Sequence, residues 1–155
     1  MNTSTHEVLT QAGFVPQQEL SVRKIMTTKE NGIQYALQIS EDKESVLYQV
    51  DGDIIITGDK CDNLVLVKLS SEPEKWAEIF VELKGKDVGH ALTQLIETIK
   101  QPIFKHQTNE VKLARVVATS FPANKSNPDV ERKKIKLSRL GFEYKGLKPK
   151  QFDLI

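Results

Sequence analysis

The stretch Trp76–Lys84, Trp-Ala-Glu-Ile-Phe-Val-Glu-Leu-Lys, constrains the fold more than any other segment of the chain. Side chains alternate along a strand, so Ile79, Val81 and Leu83 share one face while Phe80, Glu82 and Lys84 share the other. Apolar residues on both faces need cover on both sides, which predicts a central strand. Gly85 ends the run, and Asp87 stands where a helix N-cap belongs. Val88, Ala91, Leu92, Leu95, Ile96 and Ile99 then recur at helical spacing until Pro102. The segment 111–120, Val-Lys-Leu-Ala-Arg-Val-Val-Ala-Thr-Ser, reads as the next strand. A strand that follows a crossover helix lies parallel to the one before it.

Upstream, His6–Phe14 reads as a short helix ending at Gly13, with Pro16 interrupting it. Residues 1–32 are otherwise polar with scattered apolar positions. Val46–Val50 reads as a strand, Asp51-Gly52 as a hairpin turn, and Ile54-Ile55-Ile56 as the opening of the next strand. Asn63–Leu69 is a further strand rich in β-branched and aliphatic residues, and Ser70–Lys75 a loop. Val130–Leu140 alternates charge with Ile135, Leu137 and Leu140, predicting a basic helix or strand ended by Gly141. The order is a strand meander, a helix and a strand, which implies an α/β fold with a mixed central sheet flanked by helices. A length of 155 residues and 39% hydrophobic content suit one domain with a single core, residues 125–155 forming a basic extension to it.

Formal charge is +1, so no global basic field announces a nucleic-acid partner. The distribution is uneven. Between Lys125 and Lys150 stand nine Lys or Arg against three acids, Asp129, Glu131 and Glu143. Cys61 is the one cysteine, which excludes an internal disulfide and fits a reducing cytoplasm. The absence of an apolar run near the roughly 18 residues of a membrane span, and a polar start without signal-peptide character, predict a soluble cytoplasmic protein with no membrane partner.

Glu-x-Lys by itself carries little information in so charged a chain. Among its recurrences are Glu41/Lys43, Glu110/Lys112 and Glu131/Lys133, in polar runs or ahead of a strand. Glu82/Lys84 differs because the pair ends an apolar central strand, is followed by Gly and an amphipathic helix, and has an acid, Asp62, at the mouth of the preceding strand. Phosphodiester cleavage needs in-line attack by water, with charge on the phosphate and leaving oxygen stabilised. Mg²⁺ is a hard cation held by a few carboxylates, carbonyls and waters. Asp62 and Glu82 would bind such a metal, with the Leu83 carbonyl a further ligand. Lys84, on the face of Glu82, would orient the attacking water or act as a point charge on the phosphate.

Residues 61–67 (CDNLVLV) and 77–95 (AEIFVELKGKDVGHALTQL) together resemble the PD-(D/E)xK nuclease superfamily, with its restriction-endonuclease-like αβββαβ core. Asp62 matches that family's first acid, and Glu82 and Lys84 its second acid and lysine. The residue before the first acid is often proline in the family and is Cys61 here. Gln94 resembles a polar helix residue that some branches place near the phosphate, and Glu44 an extra N-terminal acid of others. The resemblance covers roughly residues 35–120. It implies a Mg²⁺- or Mn²⁺-dependent nuclease core without identifying its substrate, for which DNA is the leading expectation ahead of RNA. The basic tail, Lys133, Lys134, Lys136 and Arg139 in particular, would then contact phosphates.

Plainer readings stand beside these. Asp62 would serve equally as a turn residue after Thr57-Gly58-Asp59-Lys60, with Asp59 its competitor in register. Glu82 and Lys84 would also suit a solvated strand end, Gln94 and His90 an exposed helix face, and the basic tail a solvated surface. Cys61 reads as a structural thiol, and the lack of a Cys/His cluster disfavours zinc. The chain leaves no room for a separate recognition domain. Specificity would therefore come from a partner subunit, from a homodimer or from DNA structure, and a non-catalytic binding subunit on the same fold is the alternative.

Overall fold

A computed structural model describes residues 3–122 and 127–155. The first helix, α1 (Thr5–Gln11), is capped by the Ser4 hydroxyl, which accepts from the Glu7 N–H, and Gly13 turns the chain out of it with φ of 91°. Strands β1 (Gln18–Glu30) and β2 (Ile33–Gln49) form a long hairpin, β3 (Asn63–Ser71) and β4 (Glu74–Gly85) a second. Then come α2 (Val88–Ile99), β5 (Asn109–Ala118), α3 (Pro128–Arg139), β6 (Glu143–Leu147) and β7 (Phe152–Leu154). The seven strands make one mixed sheet in the order β1-β2-β3-β4-β5-β6, with β7 pairing β2. β5 is parallel to β4 and β6 parallel to β5, so the expected crossover is present.

β4 is central, as its two apolar faces require. Residues 76–83 are buried without a break. Trp76 and Phe80 join Leu64, Leu66, Ala114 and Val116 in a core under α2, with Leu92, Leu95 and Ile99 above them. Ile79, Val81 and Leu83 join Val65, Val67, Leu113 and Val117 in a second core on the opposite face. Each fully buried Val, Leu, Ile or Phe stabilises by about 1.5–3 kcal/mol, so the two faces of β4 anchor the fold.

The β1–β2 hairpin supplies the cover for the second core. Glu41 and Asp42 both take positive φ, and the register slips between the Arg23↔Lys43 and Ile25↔Gln38 pairs. This bulge bends the hairpin so that its outer half, through Met26, Tyr35, Leu37 and Ile39, lies on the sheet. The tip, Asn31-Gly32, has both residues at positive φ, the conformation a two-residue hairpin demands. Ile33 reaches the end of β4, within 3.9 Å of where a Gly85 Cβ would stand.

Two expectations need correction. Residues 18–30, within the segment read only as polar with scattered apolar positions, form a strand, and the strand read from Val46 begins at Ile33. Ile54–Ile56 opens no strand: the N–H groups of Asp53, Ile54 and Ile55 all donate to the Val50 carbonyl, so the chain coils tightly there instead of extending. The basic C-terminal extension carries regular elements of its own. α3 packs on α2, and β6 and β7 add to the sheet.

β7 is tied down by a buried charge pair. Arg115 Nε donates to Asp153 Oδ2 at 2.8 Å, and the Tyr35 hydroxyl donates to the same oxygen at 2.6 Å. Arg115 Nη1 also donates to the Glu143 carbonyl at 2.7 Å. Asp153→Ala would leave Arg115 buried with only the exposed Glu143 carboxylate, 3.6 Å from its Nη2, as a charge partner. We expect a loss of about 3–5 kcal/mol in urea unfolding, whereas exposed ion pairs such as Lys75–Glu110 should cost about 1 kcal/mol or less.

Candidate active site

β3 and β4 run antiparallel with Asn63 opposite Val81, which brings the residue just before β3 against the end of β4. Asp62 and Glu82 meet there. The Asp62 N–H donates to Glu82 Oε1 at 3.0 Å, and Asp62 Oδ2 accepts from the Leu83 N–H at 2.8 Å. Each carboxylate is thus held by the backbone of the other strand. In an extended strand a residue's N–H and C=O project to the same edge, so the Leu83 carbonyl faces the Asp62 side as well. Lys84 follows one pleat beyond Glu82, on the same face and half-buried.

Asp62 lines a polar hollow of about 370 Å³ shared with Glu30, Asp51, Asn63 and Gln49. Glu82 lies behind it, only 2% exposed. Burial pushes the Glu82 carboxyl up to about 8, the Asp62 carboxylate adds to this, and the Lys84 ammonium opposes it. Glu30, at the hairpin tip, is raised in turn, by burial first and then by the Asp62 carboxylate. Three carboxyl groups therefore crowd one end of the sheet.

α2 fixes the approach to Asp62. Gln94 Nε2 donates to the Lys60 carbonyl at 3.1 Å, and one turn on, the Thr98 hydroxyl accepts from the Cys61 N–H at 2.8 Å. Gln94 therefore positions the loop that carries Asp62. Its Oε1 is buried without a partner among the described residues. Cys61 is fully buried, its thiol pushed well above the usual range by burial, which suits a structural role. His90 and Asp59 are exposed. Glu44 stands away from this cluster, in a surface hollow with Lys68. Glu30 and Asp51 are the acids that sequence reasoning missed. The Asn31-Gly32 turn signal would have placed Glu30 at a hairpin tip, but nothing local foretells the bend that carries it to Asp62.

The basic residues divide into two pairs. Lys133 Nζ donates to the Gly89 carbonyl at 3.1 Å and pairs with Asp129 at 2.9 Å, while Lys134 pairs with Glu131 at 2.9 Å. Lys136 and Arg139 are exposed and make no ion pair among the described residues. Lys125 lies outside the described residues.

Comparison with protein-family models, curated proteins and solved structures finds no match to the chain. The site must therefore be judged on its own chemistry. Its donors are hard oxygens, and their crowding disfavours charge on Glu82, which the Lys84 ammonium and the Asp62 N–H only partly offset. Those are the conditions a divalent cation relieves. Among the described residues no group of three His, Cys, Asp or Glu side chains is arranged to hold an ion unaided. Asp62, Glu82 and the Leu83 carbonyl would supply the protein's share and water the rest, a division that suits Mg²⁺ or Mn²⁺.

Proposed function

We propose that the chain is a Mg²⁺- or Mn²⁺-dependent nuclease on a restriction-endonuclease-like αβββαβ core, hydrolysing phosphodiester bonds in DNA rather than RNA. The observation that carries the reading is the interlock of Asp62 with the Glu82–Leu83 strand end, with Lys84 on the Glu82 face. The order α1, β2–β3–β4, α2, β5 supports the core, and the resemblance of residues 61–67 and 77–95 supports the nuclease chemistry. Neither Asp62 nor Glu82 is occupied by an ion pair among the described residues, which favours metal binding over a purely structural role.

The metal, when bound, would acidify water and offset charge on the phosphate oxygens. Asp62 and Glu82 hold their carboxylates at the strand ends in a geometry set by backbone hydrogen bonds, so little reorganisation is needed. Lys84 presents an ammonium that orients the attacking water and stabilises charge growing on the phosphate. Gln94 keeps the Asp62 loop in place. Lys136 and Arg139 offer free cations to the nucleic-acid backbone, together with Lys133 and Lys134 where their acids yield to phosphate.

Purified protein should cleave plasmid or oligonucleotide DNA with Mg²⁺ or Mn²⁺, and excess EDTA should abolish the cleavage. Binding without cleavage of any DNA or RNA would instead indicate a non-catalytic subunit that brings this fold to a partner. Charge reversal at Lys136 and Arg139 should weaken duplex binding and lower its salt slope by about two, since each phosphate contact contributes roughly 0.9. An unchanged slope would remove α3 from the interface.

A further inference from the structure

A second concavity opens on the helix face of the sheet, four residues back along β4 from Glu82 and so about 13 Å away. It has a volume of about 400 Å³, within the range of small-ligand pockets. Glu78 and Asn109, 2% and 8% exposed, stand at its inner end. Asn109 Nδ2 donates to Glu78 Oε2 at 3.1 Å, to the Thr5 hydroxyl at 2.9 Å and to the Phe104 carbonyl at 3.2 Å. The crowding of acceptors around that nitrogen fixes the amide orientation. Asn109 Oδ1 is left buried with no partner among the described residues, an acceptor awaiting a donor.

The cations near this cavity do not close on Glu78. Lys112 is the direct cross-strand neighbour of Glu78 in the β4–β5 register. Yet its ammonium sits over the Phe142 ring, 5.5 Å from the centroid, and forms no ion pair with Glu78. Lys105 lines the same cavity, exposed, and Phe104 and Phe142 give it apolar walls. Buried acceptors and separate cations thus share one cavity with aromatic surface. Burial also pushes the Glu78 carboxyl up to about 8, a strain that a bound donor group would relieve.

We propose that this cavity binds a small amphoteric molecule, whose N–H donors meet Glu78 and Asn109 Oδ1 and whose anionic group meets Lys112 and Lys105. The site is separate from the nuclease centre and does not depend on that reading. Two sources share this chemistry. A purine nucleotide such as GMP has N–H donors on its base edge and a phosphate beyond, and an amino acid such as L-arginine has a guanidinium and a carboxylate.

Calorimetric titration of the intact protein with GMP, with L-arginine and with inorganic phosphate tests the proposal. One of the two amphoteric probes should bind at one site per chain, at least tenfold more tightly than phosphate. Glu78→Gln and Lys112→Gln should each weaken it at least tenfold, while the far-ultraviolet circular dichroism of the same preparations stays that of the parent. Lys112→Gln alters a half-buried side chain and keeps the test available if Glu78→Gln fails to fold. No saturable binding of either probe at millimolar concentration would overturn the proposal. So would binding that both variants leave unchanged, or phosphate binding as tightly as the better probe.

Discussion

Glu82→Gln is expected to make the metal-free protein more stable at alkaline pH and to abolish its cleavage activity. The carboxyl is raised from about 4.5 to about 8 in the folded chain, by burial first and the Asp62 carboxylate second. Between those values the folded state keeps a proton that the unfolded state releases. Stability from this group is complete below about pH 4.5 and is lost as pH rises through about 8. An isosteric amide carries no charge to desolvate, so the variant should gain about 2–5 kcal/mol over the parent near pH 8.5 and little near pH 5. Glu78, also raised to about 8 by burial, will leave a residual slope of the same sign. Urea unfolding at the two pH values measures both contributions. Mg²⁺ added near pH 8.5 should stabilise the parent and leave Glu82→Gln unchanged. A parent whose stability is flat across this range would show that Glu82 is not held in a dry, acid-crowded position.

Lys84→Ala should lower metal-dependent cleavage by about 10²–10⁴-fold, the range for losing a proton-transfer or charge-stabilising group. The side chain is half-buried at a strand end, so the fold should survive. Lys84→Arg should restore little, because a planar guanidinium does not occupy the place of a compact ammonium. A pH profile separates this role from a structural one. Lys84 is the group that lowers the Glu82 carboxyl, so its removal should move the activity profile to higher pH. Unaltered cleavage in Lys84→Ala would reduce the pair to a solvated strand end.

What could be read from the sequence follows from how local each signal is. β4 and α2 were legible because hydrophobic spacing encodes burial directly, and Asp87 and Gly85 mark the joint between them. The helix at α1 was legible for the same reason. β1 and the first half of β2 were not, because Val22 and Ile25 face solvent and the alternation that betrays a half-buried strand is diluted. Ile54–Ile56 misled in the opposite sense. β-branched residues suit a strand, but a strand also needs a neighbour to pair with, and β3 already has β2 and β4 on its two sides.

The same division holds at the site. Asp62, Glu82 and Lys84 could be picked out because they sit at the ends of legible strands, and strand pairing sets Glu82 against the Asp62 N–H and Asp62 against the Leu83 N–H. Glu30 could not, since its approach to Asp62 depends on the bulge at Glu41-Asp42 and the bend it creates. Lys133 and Lys134 looked equivalent to Lys136 and Arg139 in sequence. Their i,i+3 and i,i+4 partners on α3 make them the less available pair.

Mn²⁺ titration followed by electron paramagnetic resonance, on the parent and on Asp62→Asn, tests whether these carboxylates hold a metal. Saturable Mn²⁺ binding by the parent near pH 8 is expected, with at least a tenfold loss of affinity in a folded Asp62→Asn protein. Equal binding by the two proteins, or none by the parent, would contradict a metal centre built on Asp62 and Glu82.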